Sequence, residues 1–168
     1  MKVLVVVDMQ NDFIDGALGS SEAVAIVPYV KELISDFDGE IIFTRDTHGE
    51  DYLSTREGRR LPVSHCIKGT EGWQIREEIL PDTPYTVIDK PTFGSMELAD
   101  RLADMDDLSS VTLVGLCTDI CVISNAMLIK ARLPELDITV DARGCAGVTP
   151  ESHRNALDAM RSCQIDVT

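Results

Sequence analysis

The chain is short of positive charge, of long apolar runs and of paired cysteines, and each shortage argues against a class of protein. Fifteen lysines and arginines stand against 29 aspartates and glutamates, and the net charge of −14 argues against nucleic acids and anionic membranes as partners. No apolar run reaches the roughly 20 residues that cross a bilayer. The five cysteines form no C-x-x-C pair and no disulfide-like pattern. Met1 precedes a strand-like run rather than a signal peptide, so we expect a cytoplasmic protein with reduced thiols.

What is present fits one globular domain. Hydrophobic residues make up 44% of the 168, which is enough to fill a substantial core at this length. The sequence contains no internal repeat, no low-complexity segment and no linker-like stretch. We therefore expect a single domain over residues 1–168.

Strand-like and helix-like patterns alternate along the chain. Six apolar runs predict strands at residues 2–8, 40–45, 85–89, 111–115, 137–141 and 165–167. Cap residues and helical spacing predict helices at residues 20–37, 71–80, 95–105, 119–132 and 150–162. A polar stretch at 46–70 shows neither period, and loops of that length are usually functional or disordered. The expected fold class is α/β, a three-layer α/β/α sandwich around a mostly parallel sheet of about six strands.

Three reactive side chains stand where predicted strands end. Asp8 and Lys90 each end an apolar run, and Cys121 lies just beyond a third run, in the first turn of the following helix. Unpaired backbone N–H groups and the helix dipole favour a thiolate at that position. The carboxyl ends of parallel strands meet at one edge of a sheet, so these residues can share a cleft and supply a cysteine nucleophile. Taken alone, Cys121 is more typical of a small buried apolar residue.

A second group of residues has the chemistry of metal ligands. Asp46 and His48 leave the second predicted strand on the same side of the chain, and His65 lies across the polar stretch. Aspartate and histidine together suit Zn²⁺, Fe²⁺ or Mn²⁺. The alternative interpretation is a set of solvated surface residues. Further carboxylates lie between the two histidines: Glu50, Asp51 and Glu57.

The third histidine and the other cysteines belong to no such group. His153 stands among charged residues of the last predicted helix, so we interpret it as solvated. Three cysteines without reactive neighbours are interpreted as structural: Cys66, Cys145 and Cys163.

In this order and spacing, the motifs resemble those of the isochorismatase-like cysteine hydrolases, in particular the nicotinamidase (pyrazinamidase) branch. The resemblance covers nearly the whole chain, and the metal motif is what points to that branch. The matching segments are Asp8-x-Gln10-x-Asp12-Phe13, Asp46-x-His48, His65-Cys66 before Gly69-Thr70, Lys90, and Gly115-x-x-Thr118-Asp119-x-Cys121-Val122.

The resemblance implies a catalytic machinery. Asp8, Lys90 and Cys121 would form the catalytic triad, and the backbone N–H groups of Cys117 and Cys121 would form the oxyanion hole. The Leu116–Cys117 peptide bond would be cis, as it is in the family. The reaction would convert nicotinamide to nicotinate and ammonia through a thioester, as a step of NAD salvage.

The resemblance also implies a substrate pocket and a cofactor. Phe13, Leu116 and Cys117 would bind the substrate, and Gln10 would support Asp8 or the loop around it. A divalent metal ion, Zn, Fe or Mn, would be the cofactor. Its protein ligands would be Asp46, His48 and His65, with Glu57 as the fourth, although Glu50 or Asp51 could take that place. The fold often self-associates, so a homo-oligomer is also expected.

The sequence departs from the family at one point. Many nicotinamidases have an aromatic residue shortly before the second metal histidine, where this chain has Leu61, Pro62 and Val63. Its only tryptophan, Trp73, lies after His65 and is interpreted as a core residue, with a place in the pocket wall as the alternative. The departure leaves open a relative that hydrolyses a different small amide without metal, and more remotely a non-catalytic binding domain.

Overall fold

The computed structural model describes all residues, 1–168, and confirms the predicted α/β architecture. Six strands form one sheet: β1 (Lys2–Val7), β2 (Glu40–Asp46), β3 (Thr86–Lys90), β4 (Ser110–Leu116), β5 (Asp137–Ala146) and β6 (Asp166–Val167). Their spatial order is β3-β2-β1-β4-β5-β6, and every neighbouring pair is parallel.

Six α-helices connect the strands. They are α1 (Asn11–Ile14), α2 (Ser21–Asp36), α3 (Arg56–Arg60), α4 (Met96–Ala103), α5 (Ile123–Arg132) and α6 (Pro150–Ser162). Short 3₁₀ turns span Tyr52–Ser54 and Glu77–Ile79, and a π-helical turn, Thr118–Val122, leads directly into α5. None of these helices is both long enough and apolar enough to cross a membrane.

The central strand, β1, is apolar on both sides because helices cover both faces of the sheet. Val3, Val5 and Val7 pack into a core with residues of α4, α5 and α6. Leu4 and Val6 pack into a second core with α2 and residues from the 66–79 segment. All five side chains are fully buried. A parallel strand with both faces covered reads as an unbroken apolar run, which is how this strand appears in the sequence.

Cap residues fix the helix starts close to where they were predicted. Ser20 accepts a hydrogen bond from the Ala23 backbone N–H at the start of α2. Thr149 and Ser152 form a capping box at the start of α6, with Pro150 in the first turn. Each cap satisfies a backbone group that the helix itself leaves unpaired.

The predicted helix over 71–80 is wrong, since only the turn at Glu77–Ile79 is helical. The backbone of this segment bonds instead to the chain after β1. Asn11 N–H donates to the Gln74 carbonyl at 3.0 Å, and Arg76 N–H donates to the Met9 carbonyl at 2.9 Å. These long-range bonds take the groups that a local helix would have used.

One further helix and one strand boundary also differ from the prediction. The polar stretch contains the short helix α3, which the Thr55 side chain caps by accepting the Gly58 N–H. β5 runs to Ala146 rather than ending at Asp141, because its register against β4 shifts between Leu113 and Gly115. The irregularity hides the second half of the strand from a simple period-2 pattern.

The carboxyl ends of four strands meet at one edge of the sheet. Asp8 follows β1, Asp46 and Lys90 end β2 and β3 opposite one another, and Cys117 follows β4. At Gly115 the backbone has φ +122°, and an added Cβ would lie only 2.0 Å from the Val7 carbonyl oxygen. Only glycine permits this close approach between β1 and β4, which lies directly beneath the site.

Candidate active site and metal centre

Asp8 and Lys90 form an ion pair that is fully removed from solvent. Lys90 Nζ lies 2.6 Å from Asp8 Oδ2, and neither side chain has exposed surface. The Thr44 hydroxyl donates to Asp8 Oδ1 at 2.7 Å. Asp8 has φ 48°, an uncommon conformation for a residue other than glycine and one that is concentrated at functional sites.

The Cys121 thiol lies next to the ammonium group of this pair. Lys90 Nζ is 3.5 Å from Cys121 Sγ and also donates to the Thr92 carbonyl at 3.0 Å. Cys121 is only 5% exposed. The predicted trio of Asp8, Lys90 and Cys121 is therefore brought together around one ammonium group.

Burial sets the protonation of this trio. It raises the pKa of Cys121 well above the usual thiol value, and the Asp8 carboxylate adds to the shift while Lys90 opposes it. Burial beside a carboxylate therefore opposes the thiolate that the helix start was expected to favour. Burial also raises the pKa of Asp8, against the opposing charge of Lys90. For Lys90, burial acts to lower the pKa, but Asp8, Cys121 and Asp46 outweigh it and raise the pKa.

One oxygen of Asp8 is left to accept a proton. Oδ2 faces the Lys90 ammonium at 2.6 Å, whereas Oδ1 accepts the Thr44 hydroxyl. The Cys121 thiol is a neighbour of the Asp8 carboxylate, so the carboxylate can accept the thiol proton during a reaction.

Four potential metal ligands converge beside the trio. Asp46, His48, Glu57 and His65 each direct one donor atom into a cluster whose atoms all lie within 4.8 Å of one another. Asp46 comes from the end of β2, His48 follows two residues later, Glu57 lies on α3 and His65 follows that helix. The two other carboxylates considered from the sequence, Glu50 and Asp51, are exposed and outside the cluster.

The donor spacing fits a single divalent ion. His48 Nε2 lies 2.9 Å from Asp46 Oδ2 and 3.6 Å from Glu57 Oε1, and His65 Nε2 lies 3.7 Å and 3.9 Å from the same two oxygens. Two donors bound to a common Zn²⁺ at about 2.1 Å would be about 3.0–4.2 Å apart. His65 Nδ1 is 2.7 Å from the Val63 carbonyl, an arrangement that directs Nε2 to the cluster.

Asp46 connects the cluster to the trio. Its Oδ2 faces both histidines, and its Oδ1 lies 3.4 Å from Lys90 Nζ. Burial acts to raise the pKa of Asp46, but the hydrogen bond from His48 and the charge of Lys90 outweigh it and lower the pKa. The carboxylate is thus held ionised, as metal ligation requires.

An apolar cavity of about 480 Å³ opens onto both groups. Cys121 lies in its wall, as do the predicted substrate residues Phe13, Leu116 and Cys117, and the Leu116–Cys117 bond is cis as predicted. Its metal-side wall contains Asp46, Glu57 and His65. Further lining residues were not predicted from the sequence, among them Leu18, Phe93, Ile120 and Val148.

Comparisons with known proteins identify the family. A family model described as the isochorismatase domain matches residues 2–168. The chain belongs to the isochorismatase family. An isochorismatase family protein of Bacillus subtilis, PncA, is 31% identical over 93% of this chain and 92% of its own length. The nicotinamidase of Schizosaccharomyces pombe is 26% identical over 98% of this chain and 91% of its own.

A solved structure of a family member superposes over almost the whole chain. The crystal structure of the pyrazinamidase of Pyrococcus horikoshii in complex with zinc has a TM-score of 0.84 and 30% sequence identity. The match covers 99% of this chain and 98% of that one.

Side chains of the turn after β1 contact the candidate metal ligands and their neighbours rather than the trio. The Gln10 side-chain oxygen accepts the Asp46 N–H at 2.7 Å, and its amide nitrogen donates to the carbonyls of Asp46 and Trp73 at 2.8 and 2.9 Å. Asp12 Oδ2 accepts the Cys66 N–H at 2.8 Å, next to His65. Asp12 was missed as a supporting residue, although its spacing of two from Gln10 places it in the same turn.

Trp73 is a core residue, as first interpreted, and does not line the cavity. Its indole N–H donates to the Thr47 hydroxyl at 2.8 Å, and the Arg45 guanidinium lies 3.5 Å above the ring. The wall before His65 is supplied by Leu61, one of the aliphatic residues that occupy this place in the sequence.

The interpretation of His153 as solvated is only partly right, because its side chain is half-buried. Its Nδ1 lies 2.7 Å from the hydroxyl of Thr118, the buried first residue of the π-helical turn, and burial lowers its pKa. α6 packs against this turn and so shields the ring. Of the cysteines interpreted as structural, Cys66 and Cys145 are buried, whereas Cys163 is exposed at the end of α6 and is not a packing residue.

Proposed function

We propose that this chain is a metal-dependent cysteine amidohydrolase that converts nicotinamide to nicotinate and ammonia through a thioester. Family membership and the nicotinamidase relatives identify it as a hydrolase of amide C–N bonds. The observation that carries the proposal is the convergence of Asp8, Lys90 and Cys121 with a four-ligand cluster on one apolar cavity.

In the first half of the reaction, Cys121 is the nucleophile and Asp8 is the base. Asp8 takes the thiol proton, and the Lys90 ammonium stabilises the thiolate that forms. The sulfur attacks the amide carbon, and the backbone N–H groups of Cys117 and Cys121 donate to the oxyanion. Each such donor contributes about 3 kcal/mol to the transition state in other hydrolases.

Collapse of the tetrahedral adduct breaks the C–N bond. Asp8 returns its proton to the leaving nitrogen, which departs as ammonia and leaves a thioester on Cys121. Asp8 then accepts a proton from water as the water attacks the thioester carbon. The acid product leaves, and the thiol recovers its proton. The raised pKa of Asp8 suits this alternation between base and acid.

Asp46, His48, His65 and Glu57 would hold the divalent ion. Once bound there, the ion would supply a Lewis acid that could hold a heteroaromatic nitrogen of the substrate at this end of the cavity. The zinc in the Pyrococcus horikoshii relative supports Zn²⁺ among the candidates Zn, Fe and Mn. Asp46 also contacts Lys90, so the ligand set and the trio are neighbours joined by one polar contact.

The cavity walls suit a small aromatic amide. Phe13 contacts the His65 ring at a centroid distance of 5.5 Å and would lie against the substrate ring, with Leu116 and Cys117 on the nucleophile side. Gln10 keeps Asp46 in place. Placement in NAD salvage, a cytoplasmic location, a single domain over residues 1–168 and self-association remain predictions from the sequence.

The decisive experiment is ammonia release from nicotinamide by the purified protein before chelation, after chelation, and after Zn²⁺, Fe²⁺ or Mn²⁺ is returned. Activity that disappears with the metal and returns with it supports the proposal. No ammonia under any metal, with the protein folded, would contradict the proposed substrate.

A hydrolase of a different small amide is the second candidate. It is favoured by Leu61, because an aliphatic side chain before His65 offers no stacking partner for a pyridine ring. Turnover of non-aromatic amides that survives chelation would select this candidate. Retention of nicotinamide turnover only with metal would reject it.

A further inference from the structure

A buried asparagine joins the segments that carry Cys121 and Lys90. Asn125 lies in the first turn of α5 and has no exposed surface. Its amide nitrogen donates to the Cys121 carbonyl at 2.8 Å and to the Phe93 carbonyl at 3.2 Å. Its side-chain oxygen accepts the Ser95 backbone N–H at 2.9 Å. The Asn125 amide therefore bridges the turn that carries Cys121 and the Phe93–Ser95 segment, using its nitrogen as a donor and its oxygen as an acceptor.

The segment that Asn125 reaches also holds Lys90. The Thr92 carbonyl, one residue before Phe93, accepts a hydrogen bond from Lys90 Nζ at 3.0 Å. The same ammonium lies 3.5 Å from Cys121 Sγ. The contacts therefore form a closed ring. Asn125 holds the backbone of Cys121 and of Phe93, the neighbouring Thr92 carbonyl holds the Lys90 ammonium, and that ammonium contacts the Cys121 thiol.

We infer that Asn125 is a positioning residue that sets the placement of Cys121 relative to Lys90. It does not line the cavity, so it acts through these two residues and not on the substrate. The inference rests on the proposed function in taking Cys121 as the nucleophile. Misplacing a reactive group by about 1 Å can cost about 100-fold in rate, so the effect of Asn125 is on turnover more than on substrate affinity.

Two substitutions at this position separate the bridge from simple packing. Asn125→Leu keeps the side-chain volume and removes all three hydrogen bonds. Asn125→Thr keeps a hydroxyl that can bond to the carbonyl four residues earlier, which is that of Cys121, but cannot also reach Phe93 and Ser95. Asn155→Leu is the matched control, the same change at an exposed position of α6.

Each variant is compared by kcat and KM for ammonia release, melting temperature, and the pH dependence of Cys121 alkylation by iodoacetamide. Alkylation is read on the Cys121 peptide by mass spectrometry, because the exposed Cys163 also reacts with iodoacetamide. Asn125→Leu is expected to lower kcat about 100-fold with little change in KM. It also shifts the alkylation profile to higher pH, because the thiolate is less well placed against Lys90. Asn125→Thr is expected to fall between Leu and wild type, and Asn155→Leu to match wild type.

Wild-type kcat and an unshifted alkylation profile in Asn125→Leu would overturn the inference, since a purely structural residue would change only the melting temperature. If the Leu variant does not fold, a Thr variant indistinguishable from wild type in both measurements would overturn it. The two proposals fail separately. A wild-type protein that releases no ammonia from nicotinamide defeats the proposed substrate, while the alkylation shift still reports on Asn125.

Discussion

The two halves of the site hold their charges in different ways. Asp8, Lys90 and Cys121 stand at strand and helix ends, almost without exposed surface. Glu57 and His65 belong to the polar stretch and its short helix α3, and Glu57 keeps about a fifth of its side-chain surface exposed. The sheet preorganises the first half. In the second half only Asp46 ends a strand, and the polar stretch holds Glu57 and His65. We therefore expect the protonation of Cys121 to depend on the first half and retention of the metal ion to depend on the second.

Removing the nucleophile should have the largest effect and should leave the metal half intact. Cys121→Ala is expected to reduce ammonia release by roughly 10⁶-fold, as loss of a nucleophile does in other hydrolases. Metal content and substrate binding, measured by atomic spectroscopy and calorimetry, should be retained. Cys163→Ala is the control at an exposed thiol. Undiminished turnover by Cys121→Ala would refute the assignment of the nucleophile.

Removing the support of the metal half should lower stability. Gln10→Ala deletes three hydrogen bonds and leaves buried backbone groups of Asp46 and Trp73 unpaired. We expect a loss of about 3 kcal/mol in the free energy of unfolding, measured with urea. The control is Gln74→Ala, at an exposed glutamine. An equal loss of unfolding free energy in both variants would show that the hydrogen bonds of Gln10 do not stabilise the fold.

The role of Glu57 as the fourth ligand can be tested without disturbing Asp8, Lys90 and Cys121. Glu57→Gln is expected to weaken metal affinity by at least the roughly 10- to 100-fold that the loss of an outer-shell partner costs. Glu50→Gln, at the exposed carboxylate two residues after His48, should retain the metal. The measurement is competition with a chromogenic chelator. A larger loss in the Glu50 variant would reverse the ligand assignment.

The smallest expected effect concerns the packing of α6 on the nucleophile turn. Burial lowers the pKa of His153 in the folded protein, with Asp119 opposing the shift and Arg154 reinforcing it. A lowered pKa means that the folded state prefers the neutral ring, so this contribution to stability is present above the unfolded pKa of about 6.5 and is lost as pH falls through the folded value.

His153→Gln keeps a polar partner for Thr118 and removes the titration. The free energy of unfolding of the variant should therefore fall less steeply than that of wild type as the pH drops below about 6.5. Urea unfolding across this range provides the measurement. Parallel curves for the two proteins would contradict a role for His153 in acid sensitivity.

The sequence predicted the strands and the trio because both depend on short-range patterns. An unbroken run such as Val3–Val7 identifies a covered strand, and the residue after it must lie at the sheet edge. The missed features depend on distant partners. The 71–80 segment bonds to the chain after β1, and the environment of His153 is decided by the turn that precedes α5.

The effect of burial on the pKa of Cys121 was missed for a related reason. Its place at a helix start is visible in the sequence, but its near-complete burial next to Asp8 is not. Likewise, Phe93 and Val148 come to the cavity from loops whose course no periodicity fixes.

The position of β1 between β2 and β4 has a consequence for how the protein assembles. β1 residues pair with β4 residues more than 100 positions later, as Lys2 does with Ser110. Such distant pairings are slow to find, because a long loop must close before they stabilise anything. The site gathers side chains from both sides of that central pairing, so it exists only once the middle of the sheet has closed. Recovery of ammonia release during refolding would therefore time the completion of the sheet, rather than the earlier appearance of its helices.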